Sequence, residues 1–420
     1  MLHARYERAP LPPARPDTPT SQSPPTSAEP PAPRGGGSGA KQRDPFFDNA
    51  KYLTILLVGL GHAWEPLRSE SRTAEALYYV VYTFHMPAFI LISGYLSRSF
   101  TGRPGQIKRL ITGIAVPYLI FEITYTFFMR WADNPDRDFS LHRPGFALWF
   151  LVALFIWRLT TPLWQRMRWP LPVALAIGLA AGVTENISGD LNLMRVLQFL
   201  PFFVLGLQLR PVHFEQVRSR ALRIAAVPVG AAALLFAYWA VPRMDKNWFL
   251  HTRPASEMGV PSWVGGTMYL ALFGCALVLT ACFFAWVPRR QRWFTALGAG
   301  TLYAYLLHVY PIKASREFGW YEMAWVDHPL SRVAVTLLAA VMMTALCTAP
   351  VQRLFRFAME PRMDWFFRPD PEDRARTGAP AGAGPRPAPA GREGAPDGHG
   401  GPEGVHAVRE RDTAGRGSCG

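Results

Sequence analysis

The sequence predicts an all-α polytopic membrane protein: a bundle of about ten transmembrane helices flanked by disordered N- and C-terminal tails. Three observations predict it. Apolar stretches of roughly 15–23 residues follow one another through the middle of the chain; one alone could be a core helix, but a series reads as membrane spans. Tryptophans cluster near the ends of those stretches, among them Trp64, Trp131, Trp169, Trp239, Trp263 and Trp286, as an interfacial belt would. Arginines and lysines crowd alternate connections, which is the charge asymmetry of a sided membrane protein.

Whole-chain averages conceal this organisation. The 420 residues include 39 Pro and 35 Gly, with a formal net charge of +14, and the mean hydropathy is only +0.06. Two Pro/Gly-rich ends dilute an apolar centre. We divide the chain into a Pro-rich tail, 1–43, a ten-span domain, 44–360, and a Gly/Pro/Arg-rich tail, 361–420. Neither tail has enough apolar surface to order itself, and residues 1–43 lack the apolar core of a signal peptide. A secreted disulfide scaffold, a fibrous protein and a soluble globular enzyme are all excluded. The four cysteines show no CxxC spacing, so neither a zinc site nor a disulfide framework is expected, and no metal is.

The ten spans are placed at 50–66, 77–97, 109–130, 146–163, 170–184, 194–210, 222–241, 263–286, 294–312 and 331–350. With ten, the basic groups Arg98/Arg103/Lys108/Arg109, Arg210/Arg218/Arg220/Arg223, Arg289/Arg290/Arg292 and Arg353/Arg356/Arg362/Arg368 all fall on one side. The positive-inside tendency makes that side the cytoplasm and puts both termini there, in a plasma membrane. The positive charge is accounted for by this anchoring, so membrane lipid is an expected partner and nucleic acid is not. Homo-oligomerisation is left open.

Ionisable residues inside spans are costly and face a bundle interior or a wet cavity. Four stand out: His62 in the first span, His85 in the second, Glu122 in the third and His308 in the ninth. At about 1.5 Å per helical residue, all four fall between the mid-plane and the outer third of the bilayer. Shared depth points to one polar cavity. In the first span Lys51 precedes His62 by close to three turns, so both project from one helix face; Asp48 shares that face and is placed to pair with Lys51. In the second span His85 lies beside Pro87, which is expected to bend the helix.

These residues carry a resemblance. Lys51 and His62 separated by ten residues, the run His85-Met86-Pro87-Ala88-Phe89 followed by Ser93-Gly94-Tyr95-Leu96, and the basic entry Lys108-Arg109 leading to Pro117-Tyr118 are similar to the acyltransferase-3 family of integral membrane acyltransferases. The likeness is strongest to its fucose-4-O-acetylase-like branch, which modifies cell-surface carbohydrate. Weaker echoes are Leu148-Trp149-Phe150-Leu151, Phe199-Leu200-Pro201-Phe202-Phe203 and Tyr303-Ala304-Tyr305-Leu306-Leu307-His308. The family usually has Arg where this chain has Lys51, which keeps the charge but loses the bidentate fork.

The resemblance implies transfer of an acyl group, most often acetyl, from cytoplasmic acyl-CoA (acetyl-CoA) to a hydroxyl of a sugar, glycan or glycosylated acceptor. His62 becomes the candidate general base, since His titrates in the range an alcohol nucleophile needs; a role as acyl carrier stays open. His85 would orient His62 or stabilise the oxyanion, and Glu122 would fix a histidine tautomer. Lys51, Arg98, Arg103, Lys108 and Arg109 are candidates for the CoA phosphates. Trp64, Tyr82, Trp149 and His308 are placed on the acceptor side. The competing reading is a proton-coupled transporter or flippase using the same His/Glu cluster, against which stands the lack of an internal two-fold repeat.

Overall fold

The computed structural model describes residues 44–367, apart from 69, 70, 133, 134, 137, 186, 188 and 189. The tail 1–43, and all but the first residues of 361–420, lie outside that range. No strand occurs among the described residues. The helices are α1 (Pro45–Trp64), α2 (Arg72–Leu96), α3 (Pro104–Leu110), α4 (Val116–Ala132), α5 (Trp149–Leu159), α6 (Thr161–Arg166), α7 (Pro170–Val183), α8 (Leu193–Gln208), α9 (Pro211–Val217), α10 (Arg220–Ala240), α11 (Asn247–Leu250), α12 (Ser262–Trp286), α13 (Thr301–Leu307), α14 (Val309–Glu317), α15 (Pro329–Leu346) and α16 (Ala349–Met359). A π-helical turn, Ile111–Ala115, joins α3 to α4.

Four helical stretches are long and apolar enough to cross a membrane: α2, the run from Pro104 to Ala132, α10 and α12. Two bent pairs raise this to six if each is one span, α8 with α9 at 105° and α15 with α16 at 65°. Each predicted span falls on helical structure, but a count of ten is not confirmed. Prolines account for the shorter pieces. Pro162 cannot donate to the carbonyl of Arg158, and the fourth predicted span divides at Thr160. Pro311 cannot donate to Leu307, and the ninth divides at His308. Pro87, by contrast, sits inside an unbroken α2.

The first helix begins five residues before the predicted start. Asp44 caps it by accepting the Phe46 N–H at 2.9 Å, and Pro45 occupies the first helical position, where a missing N–H costs nothing. The expected Asp48–Lys51 pair forms at 2.7 Å.

Burial sorts the helices. Of the apolar window in α2, 67% is buried; in α10 the share is 11%. Accordingly α2 is the central helix, packed on α1, α8, α10 and α12, while α10 and α15 present Leu235, Phe236, Leu337, Leu338 and Val341 outward. A large apolar outer surface is what a lipid solvent requires and water would penalise. Small residues let α2 and α8 approach closely: a Cβ on Gly94 would strike the Phe203 carbonyl, and one on Gly206 would strike that of Leu91.

Candidate active site

The site is built where α1, α2, α5, α8 and α13 converge. His62 lies two residues from the end of α1, His85 is on α2 one helical turn beyond Val81, and His308 occupies the break between α13 and α14. The proline that breaks the ninth span therefore also sets the position of a candidate site side chain. The ring of His62 stacks on that of His308 with centroids 5.4 Å apart. Tyr82 lies between His62 and His85: its hydroxyl is 3.5 Å from His62 Nδ1, and its ring meets His85 edge-on at 4.8 Å.

Backbone contacts fix two tautomers. His85 Nδ1 donates to the Val81 carbonyl at 2.7 Å and His308 Nδ1 donates to the Ala304 carbonyl at 3.0 Å. A carbonyl only accepts, so both Nδ1 atoms carry the proton and both Nε2 atoms are acceptors when the rings are neutral. His308 Nε2 is buried with no hydrogen-bond partner among the described residues.

A cavity of about 210 Å³ opens against His62, Tyr82 and His85 and is walled further by Trp149, Arg195 and Tyr305. Arg195, on α8, is anchored by its Nε to the Leu250 carbonyl at 3.1 Å and lies over the Trp149 ring at 5.3 Å; Trp149 in turn stacks on Phe199. Glu65 and Tyr78 line the same space. Glu65 pairs at 3.0 Å with Arg316, whose Nη2 also donates to the His62 carbonyl at 2.7 Å. Thus α14 braces the end of the helix that carries His62.

Glu122 is absent from the cavity wall. Its Oε2 accepts the Gly145 N–H at 2.8 Å. The next residue, Phe146, has φ of +37°, a region costly for a bulky side chain, and its ring lies 4.6 Å from that of His62. Glu122 therefore anchors the loop whose phenylalanine covers His62.

The other expected site residues divide similarly. Tyr82 and Trp149 line the cavity, and His308 backs His62. Trp64 instead donates to Thr336 at 2.9 Å, tying α1 to α15. The arginine and lysine group does not form one cluster. Lys51 is paired with Asp48. Arg98 donates from Nε to the Tyr95 carbonyl at 2.9 Å and from Nη1 to that of Leu209 at 2.8 Å. Lys108 pairs with Asp364 at 3.0 Å, and Arg103 is exposed at the start of α3. Arg109 lines a separate cleft of about 210 Å³ with Ser97, Ser99, Gln106 and Arg158. The sequence reading missed Arg195, Phe146 and Arg158. Arg195 was detectable in principle as a charge inside the sixth span; Phe146 was not, because its role rests on a backbone angle.

The fold and cavity define a class: a helical membrane protein with histidines gathered inside the bundle. A family model described as an acyltransferase domain, that of the acyltransferase-3 family, matches residues 44–351, and the chain belongs to that family. Among curated proteins it is similar to the nodulation protein NolL of Sinorhizobium fredii (strain NBRC 101917 / NGR234), at 27% identity over 50% of this chain and 59% of the relative. It is also similar to NolL of Mesorhizobium japonicum, at 34% identity over 29% of this chain and 37% of the relative. The chain thus spans less than two thirds of the length of either. No solved structure matches it.

Proposed function

We propose that this protein is an integral membrane O-acyltransferase that moves an acyl group, acetyl by preference, from cytoplasmic acyl-CoA to a hydroxyl of a carbohydrate or glycosylated acceptor. In this reading the chain crosses a plasma membrane about ten times with both ends in the cytoplasm. The observation that carries it is the cavity in which His62, stacked on His308, faces Tyr82 and His85, within a family defined by an acyltransferase domain.

The chemistry follows from the groups present. The acceptor hydroxyl gives its proton to His62 as its oxygen attacks the thioester carbonyl. The resulting oxyanion is met by a hydrogen-bond donor and a fixed positive charge, for which Tyr82 and Arg195 are the candidates in the wall. Collapse breaks the carbon–sulfur bond, and the proton on His62 passes to the departing thiolate. His308, locked in one tautomer, stacks on the His62 ring and holds it, while His85, likewise locked, reaches His62 through Tyr82. Trp149 and Tyr78 give the cavity aromatic walls for a sugar to pack against. For the CoA phosphates we favour the cleft of Arg109 and Arg158, where Arg109 is exposed and Arg158 is held in place by donating from Nε to the Ser97 hydroxyl at 3.1 Å. Lys51 and Lys108 sit in ion pairs and Arg98 is tied to two carbonyls.

The test is direct. Purified protein given radiolabelled acetyl-CoA and candidate glycans should form an ester, and His62→Ala should lose transfer by at least ~100-fold while inserting normally in the membrane. Wild-type turnover in His62→Ala would remove the base from His62. Proton-coupled uptake without ester formation would favour the transporter.

A further inference from the structure

The arginines of the α9–α10 and α12 ends form a cleft unrelated to the histidine cavity. Arg218, Arg220, Arg223 and Arg289 line a space of about 910 Å³ together with Ile224, Val227, Pro228 and Trp286. We propose that this cleft binds the headgroup and upper acyl chain of an anionic phospholipid.

Two of the four guanidinium groups are held in place. Arg218 Nε donates to the Phe214 carbonyl at 2.9 Å and Arg223 Nε to the Ala285 carbonyl at 3.2 Å. Such anchoring fixes the positive charge at the cleft and lowers the entropy lost on binding. Arg220 and Arg289 are exposed beside them. The acid at this point is Asp44, whose Oδ2 stands 4.0 Å from Arg218 Nη1, so the cleft is strongly positive. Charge complementarity alone would suit any phosphate. The other half of the lining decides between sources: Ile224, Val227 and Trp286 are exposed and apolar, and they continue into the outward face of α10. A soluble phosphate has no use for that wall, whereas a phospholipid presents a phosphate and a hydrocarbon chain side by side. Trp286 lies under the Arg223 guanidinium at 5.9 Å, at the junction of the two halves.

The cleft also touches the catalytic helix. Asp44, near Arg218, caps α1, and Asn49 of α1 donates to the Pro288 carbonyl, next to Arg289, at 2.9 Å. A lipid bridging Arg218 and Arg289 would brace both segments against the start of α1. Only the leaflet, the inner one, rests on the topology proposed above.

Native mass spectrometry of the purified full-length protein, titrated with dioleoylphosphatidylglycerol or dioleoylphosphatidylcholine, tests the site. The wild type should retain phosphatidylglycerol at least tenfold more tightly than phosphatidylcholine. The double variant Arg220→Gln/Arg289→Gln, at exposed positions, should lose that preference, while Arg166→Gln/Arg168→Gln, which removes equal charge elsewhere, should keep it. Inorganic phosphate should not displace the lipid at millimolar concentration. Equal binding by Arg220→Gln/Arg289→Gln and wild type would overturn the proposal, as would displacement by phosphate. Loss of lipid preference with ester formation intact leaves the enzyme reading standing; lipid preference without ester formation does the reverse.

Discussion

Glu122 shows how a residue can be conspicuous in sequence and act through another. A carboxylate in an apolar span signals a cost that something must offset, and here the Gly145 N–H contributes to that offset. Beyond that bond lie the unfavourable φ of Phe146 and its contact with His62. Glu122→Gln keeps an oxygen to accept the Gly145 proton and should retain at least half of wild-type transfer. Glu122→Ala leaves that N–H buried and unpaired, at a cost of about 1–3 kcal/mol, and should lower kcat several-fold as Phe146 leaves its place over His62. Steady-state kinetics on both variants checks the order; equal loss in both would point to the charge instead. The three histidines were legible because imidazoles are rare in apolar runs. Arg195 was not singled out because a basic residue near the end of a span looks like ordinary anchoring, and only the fold shows it turned inward on Trp149 and the cavity.

Elements were legible in position and order more than in their number or their breaks. Apolar runs mark helices, but the division at His308 depends on Pro311 acting four residues upstream, and the hydropathy signal does not distinguish a broken span from a whole one. The contact of α2 with α8 is a second case, decided by Gly94 and Gly206. Gly206→Val should force these helices apart and lower the melting temperature in detergent by several degrees or more, consistent with overpacking costs of about 1–3 kcal/mol. Gly113→Ala, where an added Cβ meets nothing within 4 Å, should change it little; equal effects would mean that the α2–α8 crossing is not close-packed. The connection between α10 and α12 makes a third prediction. His251, at the end of α11, is bonded through Nδ1 to Gln198, and burial with the Arg195 charge nearby pushes it down to about 3. The unfolded ring has its ordinary value near 6.5. Between these values the unfolded state binds the extra proton, so stability is full above about pH 6.5 and falls by up to about 1.4 kcal/mol per pH unit as the pH drops toward 3. His251→Asn retains a donor and tolerates the positive φ of +53° at this position. Thermal melts at pH 7 and pH 4.5 should show a smaller acid shift in the variant than in the wild type, and an equal shift would assign the sensitivity elsewhere.

At the scale of the whole molecule, the boundary of the working unit is the remaining issue. Composition marks both ends as poor in apolar residues, but places no sharp limit on the C-terminal side. There the structure is more specific than the sequence reading. After the 65° bend, α16 lies back on α13 and α4, burying Ala358 and Met359. Gln352 donates to the Cys347 carbonyl at 2.7 Å, and Tyr303 donates to Glu360 at 3.3 Å. The next contact outward, Lys108 with Asp364, joins a partly exposed lysine to an exposed aspartate, and surface pairs of this kind are worth at most about 1 kcal/mol. Met359 is the last strongly held side chain. A chain trimmed to 44–367 should therefore insert, melt within a few degrees of the full-length protein and keep its transferase activity, whereas one ending at 348 should uncover Met343, Cys347 and the face of α13 and lose both stability and activity. Size-exclusion chromatography with a thermal melt separates the outcomes for stability, and ester formation separates them for function. Loss of activity in the 44–367 chain, with its stability retained, would give the ends of the sequence a part in catalysis; full activity in the chain ending at 348 would show that α16 is not needed to hold α13, the helix that leads into His308, in place.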